Sequence, residues 1–280
     1  MSEADIRLAA FLGIFAAMAV FEIVVPRRVL LASKARRWTT NLAIVALDTA
    51  VLRVVFPMAA VGVALYAQDE GAGLFVLAGL PLWLAGVMGF VALDFAVWLE
   101  HWASHKIPLL WRIHRMHHAD RDIDVTTALR FHPLEIVLSM AWKAAVVLAL
   151  GIPPVAVLVF EVVLNGAAMF NHANLRLGNR LDGLLRLLVV TPDMHRVHHS
   201  VIRSETDSNY GFNLSVWDRL FGTYVAQPRD GHEGMTIGLE AWQDERPSGI
   251  VWSLLLPFRP LVKDASAERT GSVEADREVA

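Results

Sequence analysis

Eleven histidines stand in this chain of 280 residues, and eight of them fall into three tight groups. "HWASH" holds His101 and His105; "HRMHH" holds His114, His117 and His118; "HRVHH" holds His195, His198 and His199. Side chains three or four positions apart share one face of a helix. Each group therefore offers two or three imidazoles in one direction, the arrangement by which a helix binds a metal ion. At this histidine content about 0.02 HxxHH patterns are expected by chance; two occur. Crowded imidazoles without a metal would leave buried nitrogens unmet, at roughly 1–3 kcal/mol each. Ligation removes that cost. One zinc takes about four ligands, and a catalytic zinc about three from the protein. Two octahedral ions offer about a dozen positions, so eight to ten imidazoles suit a pair of ions with room for water and oxygen. Iron, copper, nickel and zinc all accept imidazole, so ligand type alone does not choose the element.

Two more histidines are candidate ligands. His172, in "FNHAN", ends an apolar run; otherwise it is a residue that hydrogen-bonds at a helix end. His132, in "RFHPLE", precedes another run; otherwise it is a helix-entry residue beside Pro133. His232, in "RDGHEG", has no partner at helical spacing and reads as a solvated loop histidine. Asp193 is placed to orient an imidazole through its second nitrogen. Glu100, Asp120, Asp124 and Glu135 are similar candidates, each equally well an ordinary exposed acid. Asp94 lies seven residues before His101 on the same helical face. An acid so deep in an apolar run serves the site or meets a buried arginine. Asp48 and Arg53, also within an apolar run, are candidates for such pairing.

The elements that must position these residues are membrane helices. The chain is 55% hydrophobic and 19% charged, with mean hydropathy +0.44. That is too apolar for an ordinary soluble domain. It has no cysteine, which excludes disulfide scaffolds, thiolate zinc sites and iron–sulfur clusters. A net charge of −3 with no basic, aromatic-studded patch argues against nucleic acid. Ile6–Val25, Asn41–Ala67 and Leu74–Leu99 are long enough to cross ~30 Å of hydrocarbon. The first lacks a basic start and cleavage site, so it is expected to be a retained anchor. Leu134–Leu150 and Val155–Phe170 are shorter, parted by "GIPP", and read as a thin spanning pair or a re-entrant hairpin. An even number of crossings separates the first two histidine groups from the third, so all emerge on one side. Arg27, Arg28, Lys34, Arg36 and Arg37 form a basic loop on that same side, which is expected to be cytoplasmic. The expected fold is an all-α integral membrane bundle. It has about three long spanning helices, a short helical hairpin, and a cytoplasmic helical cap carrying the histidines. The expected divisions are an N-terminal transmembrane region over 1–92, a catalytic domain over 93–225, a C-terminal cytoplasmic or interfacial segment over 226–263, and a disordered tail over 264–280. "LDGLLRLLVV" (181–190) and "GIVWSLLLPF" (249–258) are expected to lie on the membrane surface.

Taken in order, "HWASH", "HRMHH", "RFHPLE", "FNHAN", "TPDMHRVHHS" and "NYGFNLSVWDRLFGTY" resemble the fatty acid hydroxylase / sterol desaturase family over about Leu93 to Tyr224. The ordered combination is highly specific. The resemblance implies a histidine-held, non-haem di-iron centre on the cytoplasmic face. It implies O2-dependent hydroxylation or desaturation of an unactivated C–H bond in a lipid, sterol or fatty acyl chain. The eight grouped histidines carry over as ligands, while His132 and His172 match less stereotyped family positions. Some relatives fuse a haem electron donor to the catalytic part. This chain shows none, so the resemblance implies an external ferredoxin- or haem-type reductase chain and no haem or flavin bound here. The final aromatic motif is expected to pack beneath the site, with substrate or donor contact by Asn209, Tyr210 and Trp217 as the sharper alternative.

Other classes fit less well. A membrane zinc protease wants HExxH, which is absent. A histidine-rich metal-binding or transport protein is the alternative, but a transporter places its ligands within the spans rather than beyond their ends.

Overall fold

The structure, a computed structural model, describes residues 3–260. The expected tail at 264–280 lies outside the described residues. The described chain is helical, with isolated bridges and no strand. Five stretches are long and apolar enough to cross a membrane. α1 (Glu3–Val24) is the first. The second is not one helix. Phe56 leaves helical geometry just before Pro57, dividing α2 (Lys34–Val55) from α3 (Ala59–Asp69), and a four-residue α4 (Leu74–Leu77) follows. Proline has no N–H and its ring clashes with the preceding turn, so the single run expected over 41–67 breaks there. α5 (Leu82–Lys106) brings the chain back, and α6 (Pro108–His118) starts afresh with Pro108 in its first turn.

α7 (Pro133–Leu150) and α8 (Pro154–His172) form the hairpin, each opening on a proline. Their 18 and 19 residues give about 27–28 Å of helix, close to a full crossing. Gly151 ends α7 at φ +67 and presses on Gly73; a Cβ on Gly151 would lie 2.6 Å from the Ala72 carbonyl oxygen. α3 and α8 pack on α7 and α5, around a core that includes Leu93, Val147, Val157 and Phe160.

One end of the bundle collects the polar chemistry, as the even number of crossings requires. Glu22, near the end of α1, accepts from the N–H groups of Val125 (2.6 Å) and Asn174 (2.8 Å). Arg37, near the start of α2, is fully buried and bonds Asp120 (2.5 Å) and Asp124 (2.6 Å). Arg27 pairs with Asp193, and Arg28 donates to the carbonyls of His232 and Met235. Three cations of the basic loop thus clamp the cap. Of the two segments expected on the membrane surface, 181–190 exposes Leu181, Leu184, Leu187 and Leu188. The other exposes Val251 and Phe258 but buries Leu256 against Ile44, Met116 and Ala119. Arg115 of α6 donates to the carbonyls of Leu256 (2.7 Å) and Arg259 (2.6 Å), so this segment is tied to the cap.

Candidate metal centre

α5 ends at Lys106, one turn past His101 and beside His105. α6 carries His114, His117 and His118; α8 ends at His172; and α10 (Pro192–His198), which follows the short α9 (Asn179–Leu185), carries the last box. These ends converge. Nine histidines, all buried, form two groups. His101, His105, His114, His118 and His198 make one; His117, His172, His195 and His199 make the other. Within each group one nitrogen per residue lies within 4.8 Å of all the others. Helical spacing explains the partition. The pairs four apart, His101/His105 and His114/His118, share the first group, and His195/His199 share the second. His117 and His198 sit off those stripes and cross to the other group. His172 therefore stands with the box histidines.

The outer nitrogens are held and the inner ones converge. The Nδ1 of His101 faces the Tyr210 carbonyl at 2.7 Å, and that of His198 the Ser208 carbonyl at 2.6 Å. The Nδ1 of His117 faces the Arg130 carbonyl at 3.3 Å, and that of His172 the Ala168 carbonyl at 2.8 Å. His114 Nδ1 faces Glu135 Oε1 at 2.6 Å. A carbonyl or carboxylate only accepts, so each of these Nδ1 atoms carries the proton and each Nε2 keeps its lone pair. The Nε2 atoms of His101 and His118 each lie 3.2 Å from that of His114. Those of His117 and His195 each lie 3.1 Å from that of His172. Lone pairs this close repel unless a cation lies between them. His105, His199 and His198 Nε2 add buried nitrogens with no partner. Burial also holds His117, His118, His195, His198 and His199 well below the usual imidazole range, and takes His114 down to about 3. Neutral, converging and otherwise unsatisfied, the nitrogens fit two metal ions.

The other candidates are distributed differently. His132 lies in neither group. Its Nδ1 accepts from the Leu134 N–H at 3.1 Å, capping α7, and its Nε2 faces the Leu254 carbonyl at 3.2 Å. Asp193 orients no imidazole of the two groups; it pairs with Arg27 and Arg196, 3.6 Å from His232 Nε2. His232 is buried at 5% exposure, not solvated as its loop neighbours suggest, because the surrounding charges enclose it. Asp94 meets no arginine; it accepts from Trp217 Nε1 at 2.8 Å. Asp120 and Asp124 serve Arg37, and Glu100 accepts from the Ser139 hydroxyl at 3.2 Å. Glu135 is the carboxylate that bonds a box histidine, while Asp207 lies 3.4 Å from His105 Nδ1.

Two positioning residues, Asp218 and Arg130, escape sequence reasoning, and Asn209, named there for packing or substrate contact, positions the same loop as Asp218. Asp218 accepts from Trp98 Nε1 (3.1 Å) and from the N–H groups of Tyr210 (2.8 Å) and Gly211 (2.9 Å), fixing the loop whose carbonyl orients His101. Asn209 holds a left-handed φ of +50, a conformation asparagine tolerates, and ties that loop to the Met194 and Val225 carbonyls. Arg130, fully buried, bonds the Met116 carbonyl, Asn41 and Ser253, and so fixes the backbone carbonyl behind His117. Its place at the head of "RFHPLE" is the signal in the sequence that could have found it.

In front of the first group lies a cavity of about 630 Å³. His101, His114, Glu100 and Glu135 stand at one end, and Phe11, Val97, Phe131, Met140 and Leu164 line much of its wall. No member of the second group lines it.

Residues 86–223 match the model of the fatty acid hydroxylase family. Over 149 residues the chain is 32% identical to an ornithine lipid hydroxylase of Rhizobium tropici, covering 53% of this chain and 44% of that one. It is 35% identical over 155 residues to the alkylglycerol monooxygenase of Homo sapiens, covering 55% and 34%, and 34% identical over 154 residues to that of Xenopus tropicalis, covering 55% and 33%. The match thus spans less than half the length of each of these relatives. No solved structure matches the chain significantly.

Proposed function

Because residues 86–223 belong to the fatty acid hydroxylase family, we propose that this chain is a multi-pass membrane oxygenase. In this reading it hydroxylates, or desaturates, an unactivated C–H bond of a lipid, using two histidine-held irons, O2 and an external ferredoxin- or haem-type reductase chain. The observation that carries the reading is the pair of converging imidazole groups, one of them opening on a largely apolar cavity. The relatives are named for lipid hydroxylation and alkylglycerol oxygenation, which supports a lipid substrate.

His101, His105, His114, His118 and His198 would hold one ion, and His117, His172, His195 and His199 the other. When bound, the metals would activate O2, which with electrons from the reductant supplies the oxidising equivalents that break the C–H bond. The chain supplies the rest. Backbone carbonyls and Glu135 fix the ring orientations, and Phe131 stacks on His117 at 4.5 Å between ring centroids, shielding it from water. The cavity wall aligns an alkyl chain past His101 and His114. The basic loop at this end of the bundle supports a cytoplasmic face, where a soluble reductant has access. The expected result is two irons per purified chain and O2-dependent oxidation of an added lipid. One zinc per chain without oxygen consumption would sink the reading.

A further inference from the structure

Five membrane-spanning helices wall the cavity that meets the histidines. α2 packs on α7, α7 on α5, α5 on α8 and α8 on α1. The seam between α1 and α2 is the remaining side. Near the cap it is shut, where Phe15 of α1 lies edge-on to Trp38 of α2 at 5.6 Å between ring centroids. Farther from the cap a groove of about 490 Å³ opens between the two helices, floored by α8. Local spacing makes it. Leu8, Phe11 and Ile14 are three apart and share the facing stripe of α1; Ala46 and Thr49 share that of α2, and their small side chains leave the space. On the floor, a Cβ on Gly166 would lie 2.9 Å from Ile14 Cδ1, so glycine lets α1 sit close along one edge. The groove is continuous with the cavity. Phe11 and Val45 line both, and so do Arg7, Thr49, Arg53 and Asn165. α1 runs toward the cap and α2 away from it, so Phe11 and Val45 lie about one turn nearer the histidines than Arg7 and Thr49. The throat is therefore apolar on its histidine side and polar on its far side, where Arg7 is held by Glu161 at 2.5 Å.

An alkyl chain loses hydrophobic stabilisation if it must cross water between the bilayer and a buried site. A seam between two spanning helices avoids that loss, because its mouth opens on the acyl chains of the bilayer. We propose that the α1–α2 groove is the lateral entry by which an alkyl chain of a bilayer lipid reaches the first histidine group, passing between Phe11 and Val45. α1 and α2 lie outside residues 86–223 that match the family, so this entry is built on the chain's own N-terminal helices. It deepens the proposed function and rests on its assignment of the cavity to substrate.

The test reads access, not turnover. The full chain is placed in phosphatidylcholine vesicles with a lysophosphatidylcholine whose acyl chain ends in a diazirine. After irradiation, labelled peptides are identified by mass spectrometry. In the unmodified protein, labels are expected on Phe131 and Met140 inside the cavity and on Phe11 and Val45 at the throat. Ala46→Trp and Thr49→Trp, which fill the groove from α2, should each lower cavity labelling about tenfold. Phe11→Ala, which widens the throat, should raise it. Leu47→Trp adds bulk at an exposed neighbouring position that lines neither groove nor cavity, and should change nothing. Labelling of the exposed Val87 on α5 gives the reference for lipid contact in every variant. Cavity labelling that survives both tryptophans in the groove, falls equally in Leu47→Trp, or is missing from the unmodified protein would overturn the entry. If labelling follows the groove but no O2-dependent lipid oxidation is found, the proposed activity fails and the entry stands.

Discussion

The group of five histidines borders a cavity and has a carboxylate behind it; the group of four is enclosed, with only neutral carbonyls behind it. In the first, His101 and His114 line the cavity and Glu135 backs His114. In the second, His117 rests on Phe131 and on the Arg130 carbonyl, and His172 on a carbonyl of its own helix. A carboxylate partner makes an imidazole a more electron-rich ligand than a carbonyl does. In the proposed reading, the first group would meet substrate through the cavity and carry the more basic ligand at His114, while the second would hold its ion out of contact with the cavity.

Removing one ligand from each group tests the pair most severely. His118→Ala and His199→Ala are each expected to abolish lipid oxidation and lower bound iron, while the protein still inserts in membranes. Full turnover in either variant would break the two-group assignment. Glu135→Gln should act on one group alone, weakening metal affinity about 10- to 100-fold with one iron retained; metal titration that shows both ions lost together would merge the groups.

Acid should act on both groups in the same direction. The folded imidazoles titrate below the unfolded value of 6.5, with His114 at about 3. The unfolded chain therefore binds more protons at low pH, and stability falls as pH drops. For the metal-free protein, the loss is expected to begin near 6.5 and grow toward about 3. Thermal unfolding at neutral pH and near pH 5 checks this; an unchanged midpoint would mean that the rings are solvated. The smallest effect is expected outside both groups. His132→Ala should remove the α7 cap at about 1 kcal/mol and leave iron content unchanged. A drop in iron would return His132 to the ligand set.

The histidine spacing made the candidate site visible before any fold. Patterns four apart are local, so helix geometry alone predicts which rings face together. The same sequence showed the apolar spans, and their parity brought the boxes to one end. It did not show that neighbouring His117 and His118, or His198 and His199, serve different groups. That depends on how α6 and α10 are rotated against each other, which is set by packing. Nor did it separate His172 from His132. Both lie at helix ends, but His172 ends a helix that points into the cluster, whereas His132 turns its ring to its own helix start and to Leu254. The carboxylates were the least legible. Asp120, Asp124, Asp193 and Glu135 look alike in sequence, and only the chain fold brings Arg37 to the first two, Arg27 and Arg196 to the third, and His114 to the fourth. The sequence by itself determined the ligand type, its helical pairing and the membrane frame, because these follow from residue chemistry and local periodicity. The tertiary structure decided the division into two groups, the partner of each acid and the cavity that reaches them, because these rest on contacts between residues far apart in the chain.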